Sequence, residues 1–576
     1  PLNWQKSSRE DLMAESKRTG AAALLLTVTV AFPSVAEAGA SVEVFGNYHS
    51  AGVIVTIDPT DDPDGDLSAA LSYRTGEAEF AEAFPLTRTR NTQLVGSLFD
   101  LQPGTRYDVR VSFTDPDGGP LDDLIVTTFG DTRAEPTAPT PTASYWVSRD
   151  GSGALCTEAA PCALSEGISR AQPGEEVVLT GGYYMLGEIS LPRSGTSDQP
   201  IVIRNADGQT PILDGSDPED FFWWQESGGV YRATVNVADT HLITVDGNRL
   251  YPYQNLSDLQ TLSWGTSGFF ADGTTVRIHL QNDIDPNSRI VRVSRFNHAF
   301  LLNSIDHIHI DGLEFRNYGQ GSYAKAIYLD DSSDCVIRNC SFFACDLGIG
   351  IKREAHRNLI DSNEFYDTVF DWTWEAVKDG SGLETGGIRI YDSNPSGRGT
   401  VIRSNTFSDY FDGFGVCPDT DTGTTVETDV HDNVVKDMGD DGFETDGYCS
   451  NLRIWDNRFV NVLVGISLAP VYRGPVYALR NLIHYTGAGY SEAGYTGTCF
   501  KFNSGYGQSG MIYIFHTTCV AARPGNDALA IKSPGSWDGI VARNNIWYGT
   551  QYAIDNAHPG QPVDLDWDNL WNSIEG

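Results

Sequence analysis

The chain has 576 residues, too many for one ordinary core, so a long repetitive body with one or two smaller units is expected. Its 77 Asp and Glu outnumber 39 Lys and Arg, giving a formal net charge of -38. Phosphate neutralisation needs a basic footprint that this composition lacks, so nucleic acid is not expected as a partner; a soluble exported protein or a cation-binding surface is.

In chain order, residues 1–38 read as a secretory signal peptide with upstream residues. Lys17 and Arg18 precede the apolar run from Ala21 to Phe32, and Ala36-Glu37-Ala38 supplies a small-x-small cleavage pattern. The run is about half the length that a bilayer crossing needs, so a secreted chain with no membrane span is expected, and Met13 is the candidate initiator. Residues 40–130 alternate apolar and polar side chains in short runs such as Val53-Ile54-Val55-Thr56-Ile57, broken by Gly, Pro and Asp turns, which predicts a β-sandwich. Within it, Leu101-Gln102-Pro103-Gly104-Thr105-Arg106-Tyr107 resembles the turn-and-tyrosine signature of fibronectin type III domains, which implies a spacer or weak adhesion unit. Residues 131–143 form a Pro/Thr linker expected to act as an extended tether.

From residue 144 to 576 the pattern becomes periodic. A small residue followed by apolar-x-apolar recurs at Ile327/Leu329, Ile349/Ile351, Ile388/Ile390, Phe414/Val416, Phe443/Thr445, Ile466/Leu468, Phe500/Phe502 and Leu529/Ile531, and in part at Ile554. Each is a short period-2 strand with one buried face, and their spacing of about 22 to 39 residues is that of stacked repeats. A second ladder, Asn339, Asn363, Asn405, Asn433, Asn457, Asn481 and Asn545, runs between them. The expected fold is all-β, a right-handed parallel β-helix (solenoid) preceded by the small fibronectin III-like β-sandwich. A short helix over 164–172 is expected to cap the open end of the coil, as terminal repeats must. Residues 218–297, with Phe221, Phe222, Trp223, Trp224, Tyr251 and Tyr253, interrupt the repeat and read as an inserted β-rich subdomain. Of the nine cysteines, Cys156 and Cys162 are the best disulfide pair, and no spacing suggests zinc.

In such a solenoid the residue between each buried pair faces outward, and those of successive coils stand about 4.8 Å apart. One outward row is Tyr328, Gly350, Arg389, Gly415, Glu444, Ser467, Lys501, Ala530; a second is Asp330, Lys352, Tyr391, Cys417, Asp446, Ala469, Asn503, Lys532. Charges of both signs concentrate in the middle coils, flanked by small residues that leave room for an extended ligand. Lys352, Arg389, Tyr391, Lys501 and Asn503 are candidate substrate-binding residues, joined by Trp372 and Trp374 from the long insertion between Tyr366 and Gly386, whose rings suit stacking on sugars. Asp412, Asp440, Asp441, Glu444 and Asp446 are the candidate catalytic carboxylates.

The segments Asp412-Gly413-Phe414 and Gly439-Asp440-Asp441-Gly442-Phe443 resemble the Asn-Thr-Asp-Gly and Gly-Asp-Asp coils of polygalacturonase-like β-helix glycoside hydrolases, with Lys501 at that family's basic strand position. The resemblance implies inverting hydrolysis of a polysaccharide by paired carboxylates. Tyr410 and Phe411 replace the family's Asn and Thr, Val464-Gly465 carries no histidine, and Cys499 stands at the arginine position, so the clamp for a uronate is incomplete. The chain also resembles β-helix polysaccharide lyases, in which a basic residue removes the proton next to a uronate carboxylate; Lys352, Arg389 and Tyr391 supply such groups. A glycan-binding adhesin solenoid would use the same aromatics without coupled carboxylates. No cofactor is required for hydrolysis, and Glu444 with Asp446 could hold Ca²⁺ alongside other oxygen ligands.

Overall fold

A computed structural model describes residues 34–37, 39–137, 139–391, 397–489, 496–502, 508–531, 536–557 and 563–573. Residues 1–33 and Ala38 of the expected signal peptide at 1–38, and Asn503 and Lys532 of the second outward row, lie outside the described residues.

From residue 144 the chain winds as a right-handed parallel β-helix with three strand columns. In one coil, Leu347–Lys352 lies in the first column, Leu359–Asp361 in the second and Glu364–Tyr366 in the third. The second column forms a 13-stranded sheet; the other two share a 21-stranded sheet, fused where Val434–Glu444 and Arg458–Leu468 run through both. Parallel pairing stacks like on like: Ile349 sits beside Ile327 on one side and Ile388 on the other. Ile349, Ile351, Ile388, Ile390, Phe414, Val416, Ile466 and Leu468 are all buried, as the period-2 pattern requires. Inside, Phe315, Phe342, Phe365, Phe407, Phe414 and Phe443 stack successively with ring centroids 4.5 to 5.0 Å apart. The helix Leu164–Arg170 covers the first coil, its Leu164 and Ile168 joining the core.

Asn363, Asn405, Asn433, Asn457 and Asn481 occupy the corner between the second and third columns. The Asn433 amide donates to the Ile402 carbonyl and to Asn457 Oδ1, each at 3.0 Å, while Asn433 Oδ1 accepts from the Asn405 backbone at 2.9 Å and its side chain at 3.0 Å. The ladder satisfies backbone groups that the turn would otherwise strand in the core. Asn433→Ala is expected to cost roughly 1 to 3 kcal/mol of stability, read from urea unfolding, without altering which substrate is used. Asn339 departs from the expected ladder: it is exposed, and Cys340 takes its place by donating its backbone N–H to Asn363 Oδ1 at 3.0 Å. The sequence places Asn339 one residue early, at a left-handed position (φ 53°) on the rim of the turn. Disulfides join Cys156 to Cys162, Cys417 to Cys449 and Cys499 to Cys519, whereas Cys335, Cys340 and Cys345 are buried thiols.

The interruption between residues 218 and 297 folds beside the coils. Its main antiparallel strands are Trp224–Ser227, Val230–Thr234, Gly268–Asp272 and Thr275–His279, around a core that includes Trp223, Tyr231, Phe269 and Ile278. Arg249 anchors it to the coils: fully buried, it reaches Asp367 Oδ2 at 2.8 Å and pairs with Asp346.

The N-terminal unit has two antiparallel sheets, one built on Ala40–Gly46, Ala51–Ile57 and Gln93–Leu98, the other on Ser68–Arg74, Arg106–Thr114 and Ile125–Asp131. It does not stand off on a tether. Ser50 Oγ donates to Asp429 Oδ2 at 2.6 Å, Ser97 Oγ to Asn451 Oδ1 at 2.6 Å, and the Arg453 guanidinium, fully buried, lies 3.0 Å from Glu427 Oε2 and 2.5 Å from Asp429 Oδ1. Phe84 and Phe99 pack on Tyr477, Tyr513, Phe515 and Trp455. The sandwich therefore covers the outer face of the second column and leaves the first column's outer face for function.

Candidate active site

Along the first column the strand register sets Tyr328, Gly350, Arg389, Gly415, Glu444, Ser467, Lys501 and Ala530 side by side, coil after coil. Small residues decide what meets what. Gly415 stands between Arg389 and Glu444, and a Cβ there would lie 2.6 Å from Arg389 Nη1. Without that atom the guanidinium crosses the intervening coil and pairs with Glu444, with Nη2 4.0 Å from Asp412 Oδ2. Gly415→Ala should push the guanidinium aside and leave Glu444 without its partner; activity should fall while the thermal transition stays close to wild type, which parallel rate and melting measurements would check.

The other carboxylates enter from the strand openings. Asp412 and Asp441 are almost fully buried on adjacent coils, and the Asp441 backbone N–H donates to Asp412 Oδ1 at 3.2 Å. Lys501 Nζ lies 2.7 Å from Asp441 Oδ2, whereas Asp441 Oδ1 is buried and has no hydrogen-bond partner among the described residues. Asp446 accepts from Ser467 Oγ at 2.6 Å and from the Ala469 N–H at 3.1 Å. One oxygen each of Asp441, Glu444 and Asp446 lies within 4.8 Å of the others.

The loop after Tyr366 closes over this row. Tyr251 of the insert donates its hydroxyl to the Ala376 carbonyl at 2.6 Å, and Tyr251, Tyr253, Val369, Trp372, Val377 and Phe411 form one apolar cluster. That packing holds the turn Ala376–Ser381 so that Lys378 Nζ reaches Glu384 Oε1 at 2.7 Å and Asp440 Oδ2 at 3.4 Å. Trp374 Nε1 donates to the same Asp440 oxygen at 2.9 Å.

These environments push equivalent groups apart. Burial drives the Asp412 and Asp441 carboxyls well above the usual range, with neighbouring carboxylates adding to it and Lys378 and Lys501 opposing. Burial also raises Asp446, to about 6. Glu444 goes the other way: burial would raise it, but the Arg389 charge and hydrogen bond outweigh that and hold it below the usual range. Burial alone would lower Lys378, Lys501 and Arg389, yet the surrounding carboxylates win and keep all three firmly protonated.

Several expected residues change role. Trp372 is 5% exposed within the apolar cluster, so it anchors the loop and presents no face to a sugar, whereas Trp374 remains half-buried beside Asp440. Tyr391 is not simply outward: its hydroxyl is buried, burial raises its pKa, and Lys325 Nζ lies 4.5 Å from its ring centroid. Cys417 of the second row is tied up in its disulfide. Lys352 lies next to Asp330 in register, two strands before the strand of Gly415. Lys378, Glu384 and Tyr323 join the site, the last donating its hydroxyl to the Gly382 carbonyl at 3.2 Å. Lys378 carries no periodic signal, since it lies in a loop that only tertiary packing brings over the column. The Asp441, Glu444 and Asp446 triad fits a divalent cation poorly, because Lys501 and Arg389 already neutralise two of its members.

A family model described as a right handed beta helix region matches residues 235–430. No curated protein matches the chain. Among solved structures, XylC with xylose is similar over 74% of this chain and 84% of its own, at 13% identity and a TM-score of 0.44. Pectate lyase Pel9A is similar over 76% of this chain and 80% of its own, at 13% identity and a TM-score of 0.39. An exopolygalacturonase from Thermotoga maritima is similar over 69% and 84%, at 11% identity and a TM-score of 0.32. The chain is a right-handed parallel β-helix, the fold that the matching family model describes.

Proposed function

We propose that the chain is a glycoside hydrolase that cleaves a neutral polysaccharide in the groove along the first column. The observation that carries this reading is the opposed surroundings of two neighbouring carboxyls: Asp441, which burial pushes well above the usual range, and Glu444, which the Arg389 ion pair holds below it. Carboxyl pairs split in this way by their surroundings mark an acid and its partner. Asp441 gives its proton to the leaving oxygen as the glycosidic bond breaks and Glu444 bonds to the anomeric carbon; water, losing a proton to Asp441, then displaces Glu444. Their oxygens approach within 4.8 Å, closer than the about 6.5 to 9.5 Å that an inverting pair leaves for water. This favours retention of configuration over the inversion that the polygalacturonase resemblance implies, and proton NMR of the first-formed anomer distinguishes the two.

The charge balance argues against a uronate substrate and against elimination. Among the described residues, Asp440, Glu444, Asp446 and Glu384 outnumber Lys378, Arg389 and Lys501 even with Asp412 and Asp441 left out, and each of these cations is already paired. An anionic sugar meets repulsion there. A lyase base must be deprotonated, and Arg389, Lys378 and Lys501 are all stabilised in the charged form. Incubation with a panel of neutral and uronate polysaccharides should release reducing ends from a neutral polymer with no absorbance from unsaturated products. Unsaturated products from a uronate polymer, or binding without cleavage, would overturn the proposal.

A further inference from the structure

The sandwich carries a second concentration of carboxylates, remote in sequence from the groove and unused by it. One loop, Asp61-Asp62-Pro63-Asp64-Gly65-Asp66, leads into the strand Ser68–Arg74; the other, Asp115-Pro116-Asp117-Gly118-Gly119, leaves the strand Arg106–Thr114. These strands pair antiparallel with Ser68 opposite Thr114, so the two loops emerge at the same end of the sheet. Gly65 (φ 81°) and Gly118 (φ 79°) take left-handed conformations that suit glycine and fold each loop back on itself. Oxygens of Asp62, Asp64 and Asp66 lie within 4.8 Å of one another, and so do those of Asp66, Asp115 and Asp117, so Asp66 belongs to both groups.

The five are not equivalent. Asp62 is already satisfied: Oδ1 accepts from the backbone N–H of Gly65 at 3.1 Å and of Leu67 at 3.3 Å, and Oδ2 pairs with Arg88. Its place is to organise the loop. Asp115 is the opposite case. It is 5% exposed, and its Oδ1 is buried with no hydrogen-bond partner among the described residues. Its carboxylate faces those of Asp66 and Asp117, which can only accept when ionised. A buried carboxylate oxygen turned toward other carboxylates is costly unless a cation stands between them.

We propose that Asp64, Asp66, Asp115 and Asp117 bind one Ca²⁺ ion that clips the two loops together at this end of the sandwich, with Asp62 and Arg88 holding the first loop in shape. An all-oxygen, strongly anionic donor set suits Ca²⁺, whereas Mg²⁺ demands a tighter octahedron and zinc prefers nitrogen and sulfur. The occupied site would remove the repulsion among these groups and raise the stability of the unit that covers the second column.

The test is calorimetric titration of the chelator-treated full-length protein with calcium chloride, beside thermal unfolding with and without the ion. The wild type should bind Ca²⁺ with a Kd on the order of 10⁻⁴ M, as extracellular modules do, and melt higher in its presence. Asp66 and Asp117 are exposed, so the double variant Asp66→Asn with Asp117→Asn should fold, lose this binding at least tenfold and melt independently of calcium. Glu444→Gln, which alters the groove triad only, should bind like the wild type. Absence of calcium binding by the wild type overturns the proposal, as does unchanged binding by the double variant or loss of binding in Glu444→Gln.

Discussion

Asp441→Asn and Glu444→Gln should each lower turnover by about 10²- to 10⁴-fold while leaving the fold intact, the range typical for loss of a group that moves a proton in the transition state. Both replacements keep shape and hydrogen-bond reach: an amide at 441 still accepts from Lys501, and one at 444 still accepts from Arg389. What they remove is the proton of one group and the negative charge of the other. The rate of the wild type should rise with pH as Glu444 ionises, below the usual carboxylate range, and fall at higher pH as Asp441 gives up a proton that burial holds well above that range. Asp441→Asn should flatten the alkaline limb and Glu444→Gln the acid limb, measured on kcat/KM. Lys352→Ala, in contrast, should mainly raise KM, because Lys352 lies toward the edge of the row, beside Asp330. An inactive Lys352→Ala with both carboxamide variants active would reverse the assignment in favour of elimination.

Arg453→Met should destabilise the protein by about 3 to 5 kcal/mol, the cost of leaving buried charges without their partner. Arg453 is fully buried and stands between Glu427 and Asp429, both also buried, and its Nη1 reaches Ser97 Oγ of the sandwich at 3.3 Å. Methionine fills similar space but leaves two buried carboxylates without the charge that stands between them, and Ser50, Asn451 and the more distant Arg398 make up only part of that loss. Glu427 has no room to move away, since its carboxyl packs directly over Gly52, where a Cβ would lie 1.7 Å from Oε2. Chemical unfolding should show the loss, and limited proteolysis should cut between sandwich and coil faster than in wild type. A change within about 0.5 kcal/mol, the usual range for a surface position, would mean that the sandwich does not depend on this network.

The period-2 pattern made the columns legible because burial in a strand is a local property: alternate residues either enter the coil or leave it. It therefore located the buried pairs, and also the outward row from Tyr328 to Ala530, without knowledge of the loops. The loop chemistry was another matter. Trp372 looks like a sugar platform by composition, and only packing against Tyr251 of the distant insert turns it inward; Lys378 and Glu384 reach the site by the same route. The docking of the sandwich was hidden for a related reason, although one trace of it is present in the sequence. Leu452-Arg453-Ile454-Trp455 buries alternate residues in the coil and still leaves Trp455 pointing out, with Tyr477 and Tyr513 beyond it, an outer face too apolar for water.

The Asp441 and Glu444 pair should cleave a glycosidic bond by adding water. Reaction of the wild-type protein with a cleaved polysaccharide in water enriched in the heavy oxygen isotope, followed by mass spectrometry of the products, tests it directly. Hydrolysis places one solvent oxygen at each new reducing end, and the label should disappear with the activity in Glu444→Gln. Products that carry no solvent oxygen and are lighter by the elements of water, formed equally by Glu444→Gln, would contradict the account.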